Sequence, residues 1–139
     1  MGYTQAMDSL YAEEILDHYK HPRNFGRLEH PDIHVEANNP LCGDRLSMDL
    51  DVKDGVIEDV RFQGRGCAIS QASASMLTED LIGKPLTELA GLTRQDILDN
   101  LGIEVSYARM KCALLSLGLL RLALAEAGIS ISEHLEDEE

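Results

Sequence analysis

The segments Leu46-Ser-Met-Asp-Leu-Asp-Val52 and Val56-Ile-Glu-Asp-Val-Arg-Phe62, separated by a short polar link, decide the fold. Apolar and polar residues alternate in the first segment, and this period of two predicts a half-buried β-strand. The dipeptide Asp54-Gly55 in the link is typical of a two-residue hairpin turn, so the second segment is predicted to return antiparallel. A shorter alternating run from Ile33 to Ala37 predicts one more strand. We therefore expect a three-stranded antiparallel meander.

Helical periodicity replaces the strand period in the sequence before and after the three predicted strands. Apolar residues recur at helical spacing from Asp8 to Lys20 and again from Ser70 to Ile82. Thr93 begins a short helix with a pattern close to a capping box, and Gly102 ends it. A last helix, from Ser106 to about Ala127, has too many leucines for one stripe and is expected to be central to the core. The predicted fold is α+β, with the sheet packed against several helices and a long C-terminal core helix.

Length and composition limit the possible functions. The 139 residues correspond to one domain, predicted over 1–132 with an acidic tail over 133–139. A formal net charge of −13 opposes generic nucleic-acid binding, because phosphate contacts are built from clustered Lys and Arg. The sequence contains neither the roughly 20-residue apolar run of a membrane-spanning helix nor a secretory signal. We expect a cytoplasmic protein without a nucleic-acid or membrane partner.

Three cysteines lie at predicted junctions between elements. Cys42 is in the loop between the first two strands, Cys67 is at the start of a helix, and Cys112 is in the first turns of the last helix. A thiol set of this kind in a chain without a secretory signal is more often metal-binding or reactive than structural. Helix N-termini favour anions, which favours a thiolate at Cys67 and less so at Cys112. The neighbouring charges of Arg109 and Lys111 act in the same direction on Cys112.

Asp44 is the fourth candidate ligand. In Cys42-Gly-Asp44 the two side chains are two residues apart and point to one side of an extended segment. Three thiolates and a carboxylate form a tetrahedral set, in which the oxygen binds a soft metal more weakly than a fourth thiolate does. We interpret Asp44 as a releasable ligand in a site that loads and unloads. Each residue taken singly has an ordinary structural explanation, and their coincidence predicts the site.

Longer motifs around these residues carry a family resemblance. They are Asn39-Pro-Leu-Cys-Gly-Asp44, the highly specific Phe62-Gln-Gly-Arg-Gly-Cys-Ala-Ile-Ser-Gln-Ala-Ser-Ala-Ser75, and Lys111-Cys-Ala113. In this order they resemble the three ligand motifs of the IscU/SufU/NifU N-terminal family of iron–sulfur cluster assembly proteins. The similarity extends from about Leu10 to Ala127.

The resemblance implies a cluster or zinc site at one exposed end of the domain. The implied ligands are Cys42, Asp44, Cys67 and Cys112. It also implies that a pyridoxal-phosphate cysteine desulfurase of the IscS or SufS type delivers sulfur as a persulfide. On this hypothesis a transient [2Fe–2S] cluster is built on the four side chains and passed to apo iron–sulfur proteins or carriers. The chain would then be a scaffold rather than a true enzyme.

Two departures from the IscU branch keep other mechanisms open. Lys111 stands where that branch has a histidine, and Ser106-Tyr-Ala-Arg-Met-Lys111 replaces the segment that its Hsp70-type chaperone binds, so a dedicated chaperone is not expected. Arg109 and Lys111 look more like the SufU branch, whose members bind Zn²⁺ and accept sulfur from SufS. The 44 residues between Cys67 and Cys112 are, however, too few for the SufU insertion.

The SufU-like alternative is a zinc-dependent sulfurtransferase. Docking to the desulfurase would free Cys42, whose thiolate attacks the persulfide by ordinary thiol exchange. Cys112 is the alternative acceptor, and Arg109 would steer or shield the site. A third hypothesis is a structural zinc module, in which the metal only supports folding.

Overall fold

The computed structural model describes residues 12–40 and 43–129. Its three strands form one sheet in the order β1-β2-β3, with both pairs antiparallel, which confirms the predicted meander. The strands are β1 (Ile33–Asn39), β2 (Asp44–Lys53) and β3 (Val56–Arg65). Strands β2 and β3 extend beyond the predicted segments, because their ladder continues through polar residues. This extension brings their ends next to the cysteine-bearing segments.

The hairpin between β2 and β3 has the predicted two-residue turn. Lys53 pairs with Val56 across the turn, and both residues between them have positive φ, 54° at Asp54 and 79° at Gly55. An aspartate tolerates this left-handed conformation better than most residues, and a glycine adopts it without strain. The turn therefore fixes the register next to it, and a β-bulge at Glu58 shifts the register by one residue from the pair Asp51 and Asp59 onward.

The described part of the chain also contains six helices. The first, α1, covers residues 12–20, and its predicted start at Asp8 lies outside the described residues. The others are α2 (Ala68–Leu81), α3 (Leu86–Leu89), α4 (Arg94–Leu101), α5 (Tyr107–Ala113) and α6 (Leu115–Glu126). The one-turn helix α3 was not predicted. None of these helices is long and apolar enough to span a membrane.

The ends of α4 follow the sequence signals, but those of the last predicted helix do not. Thr93 and Asp96 form a complete capping box, and Gly102 ends α4 in the left-handed conformation, as predicted. The prediction of one helix from Ser106 to about Ala127 is wrong, because Leu114 interrupts it with φ −96° and ψ 3°. Ser106 also makes no side-chain capping hydrogen bond.

A tertiary hydrogen bond accounts for the interruption. The buried hydroxyl of Ser73 in α2 donates to the carbonyl oxygen of Ala113 at 2.8 Å. The amide of Leu117, which would reach that carbonyl in a continuous helix, instead donates to the carbonyl of Leu114 at 3.1 Å. Cys112 is consequently in the last turn of the seven-residue α5 and not near the start of a long helix. The expected help from a helix N-terminus therefore does not apply to Cys112.

The core lies between the inner face of the sheet and helices α2 and α6. Met48, Leu50 and Phe62 of the sheet are fully buried against the leucines of α6, of which Leu119 and Leu120 are also fully buried. Burial of one such side chain stabilises the fold by about 1.5–3 kcal/mol. Helix α6 is therefore the core helix that was predicted. The predicted domain extent of 1–132 and the tail of 133–139 reach beyond the described residues and stay predictions.

Candidate metal centre

Three elements bring predicted ligands together at one end of the sheet. Asp44 is the first residue of β2, Cys67 directly precedes α2, and Cys112 is in the last turn of α5. One ligand atom from each lies within 4.8 Å of the other two. Cys42 lies outside the described residues, so its place as the fourth ligand stays a prediction.

The carboxylate of Asp44 joins the sheet to the start of α2. It is 2 % exposed, and its Oδ1 accepts a hydrogen bond of 3.1 Å from the backbone amide of Cys67. Its Oδ2 lies 3.5 Å from Sγ of Cys67. Cys67 is the N-cap residue of α2 and offers no side-chain cap of its own. Asp44 therefore accepts, from β2, the backbone amide of the N-cap residue, which is the amide that an N3 side chain takes in a capping box, at the helix end that favours an anion.

This hydrogen bond refines the interpretation of Asp44 as a releasable ligand. Oδ1 is engaged with the amide, whereas Oδ2 is directed to the thiol. A metal could thus gain and lose Oδ2 while the carboxylate stays attached to the helix through Oδ1. The exchange itself stays a prediction.

Gly66 makes this approach possible. Its φ is +146°, and a Cβ at this position would overlap the carboxylate of Asp44. Sequence reasoning missed its role as the space for Asp44. A glycine directly after a strand and directly before a candidate ligand is the signal that could have found it.

The thiol of Cys67 is half-buried and has a second polar neighbour. Its Sγ lies 3.9 Å from Oγ of Ser70, whose hydroxyl donates to the carbonyl of Cys67 at 3.1 Å. Ser70 is fully buried. The predicted position of Cys67 at the start of a helix is confirmed, since α2 begins at the next residue.

Two buried serines hold the segment that carries Cys112. Besides donating to the carbonyl of Ala113, the Ser73 hydroxyl lies 2.9 Å from that of Ser116. Cys112 itself is 2 % exposed. These bonds connect α2, which begins directly after Cys67, to the junction of α5 and α6, and so they set the separation of the two thiols. Sequence reasoning missed both serines. Their place among buried apolar positions at helical spacing was the available signal.

The donor set fits zinc or an iron–sulfur cluster. Two ligand atoms on a tetrahedral zinc site with Zn–S bonds of about 2.3 Å are about 3.8 Å apart. The 3.5 Å between Asp44 and Cys67 is close to this value, and a small contraction from the 4.8 Å limit brings in Cys112. Thiolates select soft metals, including zinc and iron in clusters.

The two basic residues predicted beside Cys112 are both exposed on α5. Arg109 is three positions before Cys112 and therefore shares its helix face, whereas Lys111 does not. Among the described residues, neither side chain makes an ion pair or hydrogen bond. A role of Arg109 in steering or shielding stays a prediction.

This α+β domain brings two thiols and a carboxylate together at the end of a three-stranded meander, and this set of side chains is typical of a metal-binding protein. The chain belongs to the NifU-like N-terminal domain family, whose sequence model matches residues 10–128. This membership confirms the resemblance stated above.

Several relatives have assigned roles. The zinc-dependent sulfurtransferase SufU of Bacillus subtilis is 36% identical, covering 91% of this chain and 97% of its own. The iron–sulfur cluster assembly scaffold protein IscU of Escherichia coli K12 is 35% identical over 84% of this chain and 92% of its own. The SufU alignment spans 143 positions, more than the 139 residues here, so SufU contains residues that this chain lacks.

Solved structures agree on the fold. A cluster assembly scaffold assigned to the SUF system of Fervidobacterium islandicum AW-1 superposes with a TM-score of 0.69 at 30% identity, covering 84% of this chain and 97% of the other. The N-terminal part of a NifU-like protein from Brucella abortus gives 0.72 at 21% identity, covering 95% and 98%. The second likeness concerns the fold alone.

Proposed function

We propose that this chain is an iron–sulfur cluster assembly scaffold. It takes persulfide sulfur from a cysteine desulfurase and combines it with Fe²⁺ into a transient [2Fe–2S] cluster, which it passes to apo-proteins or carriers. The proposed ligands are Cys42, Asp44, Cys67 and Cys112. The observation that carries the proposal is the convergence of Asp44 with two thiols within 4.8 Å, in a member of this family.

The sulfur step is thiol–persulfide exchange. A thiolate of this chain, that of Cys42 first or of Cys112 as the alternative, attacks the outer sulfur of the desulfurase persulfide. A new S–S bond forms on this chain, and the enzyme's S–S bond breaks to release its thiolate. Conversion of the transferred sulfur to sulfide takes two electrons, which an external reductant supplies.

The remaining residues hold the cargo in place and let it leave. Cys67 and Cys112 bind iron from two helices whose separation Ser73 sets. Asp44 offers Oδ2 as the weaker ligand, since a carboxylate oxygen binds a soft metal less tightly than a thiolate does. The site lies at the end of the sheet with Cys67 partly exposed, which suits transfer to a second protein.

A zinc-dependent sulfurtransferase is the second candidate function. It is supported by the SufU relative, which is covered over nearly its full length, and by Lys111, which removes the imidazole that a histidine would offer beside Cys112. On this alternative Zn²⁺ holds the same side chains until docking frees Cys42. The cytoplasmic location, the absence of nucleic-acid and membrane partners and the absence of a dedicated Hsp70-type chaperone stay predictions.

Anaerobic reconstitution tests the proposal. The metal-free protein is incubated with Fe²⁺, cysteine, a reductant and a purified cysteine desulfurase, and visible absorption and circular dichroism are recorded. We expect the bands of a [2Fe–2S] centre, lost in Cys67→Ser and Cys112→Ser while the far-ultraviolet spectrum is retained. If the protein stays colourless under these conditions and its zinc-loaded form accelerates the desulfurase, the sulfurtransferase is established. Tight zinc without sulfur exchange, together with unfolding on chelation, leaves the structural zinc module and overturns both.

A further inference from the structure

Two arginines stand opposite each other beside the metal centre. Arg45 is the second residue of β2, and Arg65 is the last residue of β3, and the two are direct partners in the strand register. Arg45 follows Asp44, and Arg65 precedes Cys67 by two residues. The pair therefore marks the end of the sheet at which the ligands converge.

The fold does not use the charges of this pair. Both side chains are exposed, and within residues 12–40 and 43–129 neither guanidinium makes an ion pair or a hydrogen bond. By contrast, Arg23, Arg27 and Arg61 each pair with an aspartate. Like charges directly opposite on neighbouring strands are destabilising. Two such cations in a chain with a net charge of −13 therefore indicate a requirement outside the fold.

The surface around the pair is concave. The two arginines line an open depression of about 600 Å³ on the outer face of the sheet, the face away from the core. Phe25, which is 46% exposed, contributes an apolar edge. The carboxylate of Glu36, also in the lining, is engaged by His34 at 3.0 Å, so it is matched within the chain and leaves the arginine charges available.

We propose that this depression is where the cysteine desulfurase docks, through an acidic segment whose carboxylates pair with Arg45 and Arg65. The inference rests on the proposed function, since it names how the sulfur donor reaches the thiols. Guanidinium groups bind carboxylates through paired hydrogen bonds. The acidic remainder of this chain repels an acidic segment elsewhere, so the pair also orients the approach. The segment then meets the chain at the end of the sheet where the ligands converge, on the face opposite the side chain of Asp44.

Charge reversal at opposite ends of the molecule tests the docking surface. Arg45→Glu with Arg65→Glu is compared with Lys53→Glu and Lys84→Glu, an exposed and a partly exposed lysine at the hairpin end. Both double variants change the net charge equally. Desulfurase activity is measured as alanine release against the concentration of this chain. Zinc content and circular dichroism confirm that each variant is folded with its site intact.

We expect the arginine variant to raise the half-saturating concentration about tenfold with little change in the maximal rate, and added salt to reduce this difference. The lysine variant should stay close to wild type. Equal effects of the two double variants, or none from the arginine pair, overturn the docking surface while the proposed function stands. An arginine variant that slows only cluster transfer to an acceptor also overturns the docking surface and leaves the proposed function standing. A wild-type chain that never engages the desulfurase overturns both.

Discussion

Asp44 and Asp49 are two buried carboxylates on the same strand, and their surroundings differ in kind. Asp49 is 1 % exposed on the outer face of β2. It accepts hydrogen bonds from Arg27 at 2.9 Å and from the amide of Leu28 at 3.0 Å, and His34 lies at 2.5 Å. Asp44 is 2 % exposed on the inner face, where it meets the amide and the thiol of Cys67.

The comparison separates a structural carboxylate from a candidate ligand. Burial alone raises the pKa of Asp49, but the hydrogen bonds from His34, Arg27 and the amide of Leu28 outweigh burial and lower that pKa. Its charge is therefore balanced by cations of the chain itself. Asp44 faces an amide and a thiol, so a divalent metal at its Oδ2 would also meet a sulfur ligand. Burial of an acid therefore does not by itself mark a functional site: the partners of Asp49 balance its charge within the fold, whereas Asp44 lies within 4.8 Å of two thiols.

Removal of the structural carboxylate gives the largest expected effect on stability. Asp49→Ala deletes the acceptor of three hydrogen bonds, and we expect a loss of about 2–3 kcal/mol in the free energy of unfolding. The loss is no larger because the exposed partners can form hydrogen bonds with water instead. Urea denaturation measures this loss. Asp51→Ala, on the same face of β2, is the matched control and should stay within about 0.5 kcal/mol. Zinc affinity should be unchanged in both, and a parallel loss of zinc in Asp49→Ala contradicts the separation of roles.

Two substitutions of Asp44 separate its hydrogen bond to the start of α2 from its metal role. Asp44→Ala removes the acceptor of the Cys67 amide and should cost about 1 kcal/mol of stability. Asp44→Asn keeps an acceptor oxygen for the amide of Cys67 and should be nearly as stable as wild type, but it lacks the anionic oxygen. Both should slow ligand exchange and make a bound cluster longer-lived, measured by the decay of its visible bands in the presence of an acceptor. Faster loss than from wild type contradicts the releasable ligand.

Ser73 extends the comparison from carboxylates to hydroxyls. Ser73→Ala leaves the buried carbonyl of Ala113 without its donor, and we expect a loss of about 1–2 kcal/mol and about tenfold weaker metal binding, since the Cys112 segment is no longer held. Ser75→Ala is the control: its hydroxyl lies 2.7 Å from Nδ1 of His18 and accepts from the amide of Arg23 at 2.9 Å. Its stability loss should be similar and its metal affinity normal, as titration with Co²⁺ would show. An equal loss of metal affinity in both variants would contradict a specific role of Ser73 in holding the Cys112 segment.

The smallest expected effect is on the pH dependence of stability. Hydrogen bonds to Asp49 and then to Glu36 raise the pKa of His34, so the stabilisation from the protonated ring is complete below pH about 6.5 and is lost as the pH rises through the raised pKa. The lowered pKa of Asp49 acts in the other direction, with loss only as the pH falls below about 3.9. Between pH 5 and 8.5 the free energy of unfolding, measured by urea denaturation, should fall by less than about 1 kcal/mol more in wild type than in His34→Gln. Parallel profiles contradict this coupling.

The sequence predicts the features that depend on local pattern. Alternation from Leu46 to Val52 and the Asp54-Gly55 turn are enough for the hairpin, and Thr93 and Gly102 are enough for the ends of α4. Each is decided by neighbouring residues, which is why pattern reasoning reaches it.

Features set by distant partners could not be predicted in this way. The interruption at Leu114 depends on the Ser73 hydroxyl, which lies 40 residues before the Ala113 carbonyl that it binds. The same alternation that predicts β2 places Asp49 on the outward, solvent side, and its burial depends on Arg27 and Leu28 crossing that face. The site was predicted because its residue types are unusual in combination, whereas the space at Gly66 and the serine at position 73 became evident only from the packing.

The interruption at Leu114 also divides the last helical region into two helices that bury different amounts of apolar surface. Helix α6 carries the buried leucines, whereas α5 buries Cys112 and Ala113 and leaves Tyr107 93% exposed. Local unfolding of α5 would expose less apolar surface than unfolding of α6, and it would break the hydrogen bond from Ser73 to Ala113. The third thiol is thus carried on a short segment that depends on this hydroxyl more than on buried side chains of its own.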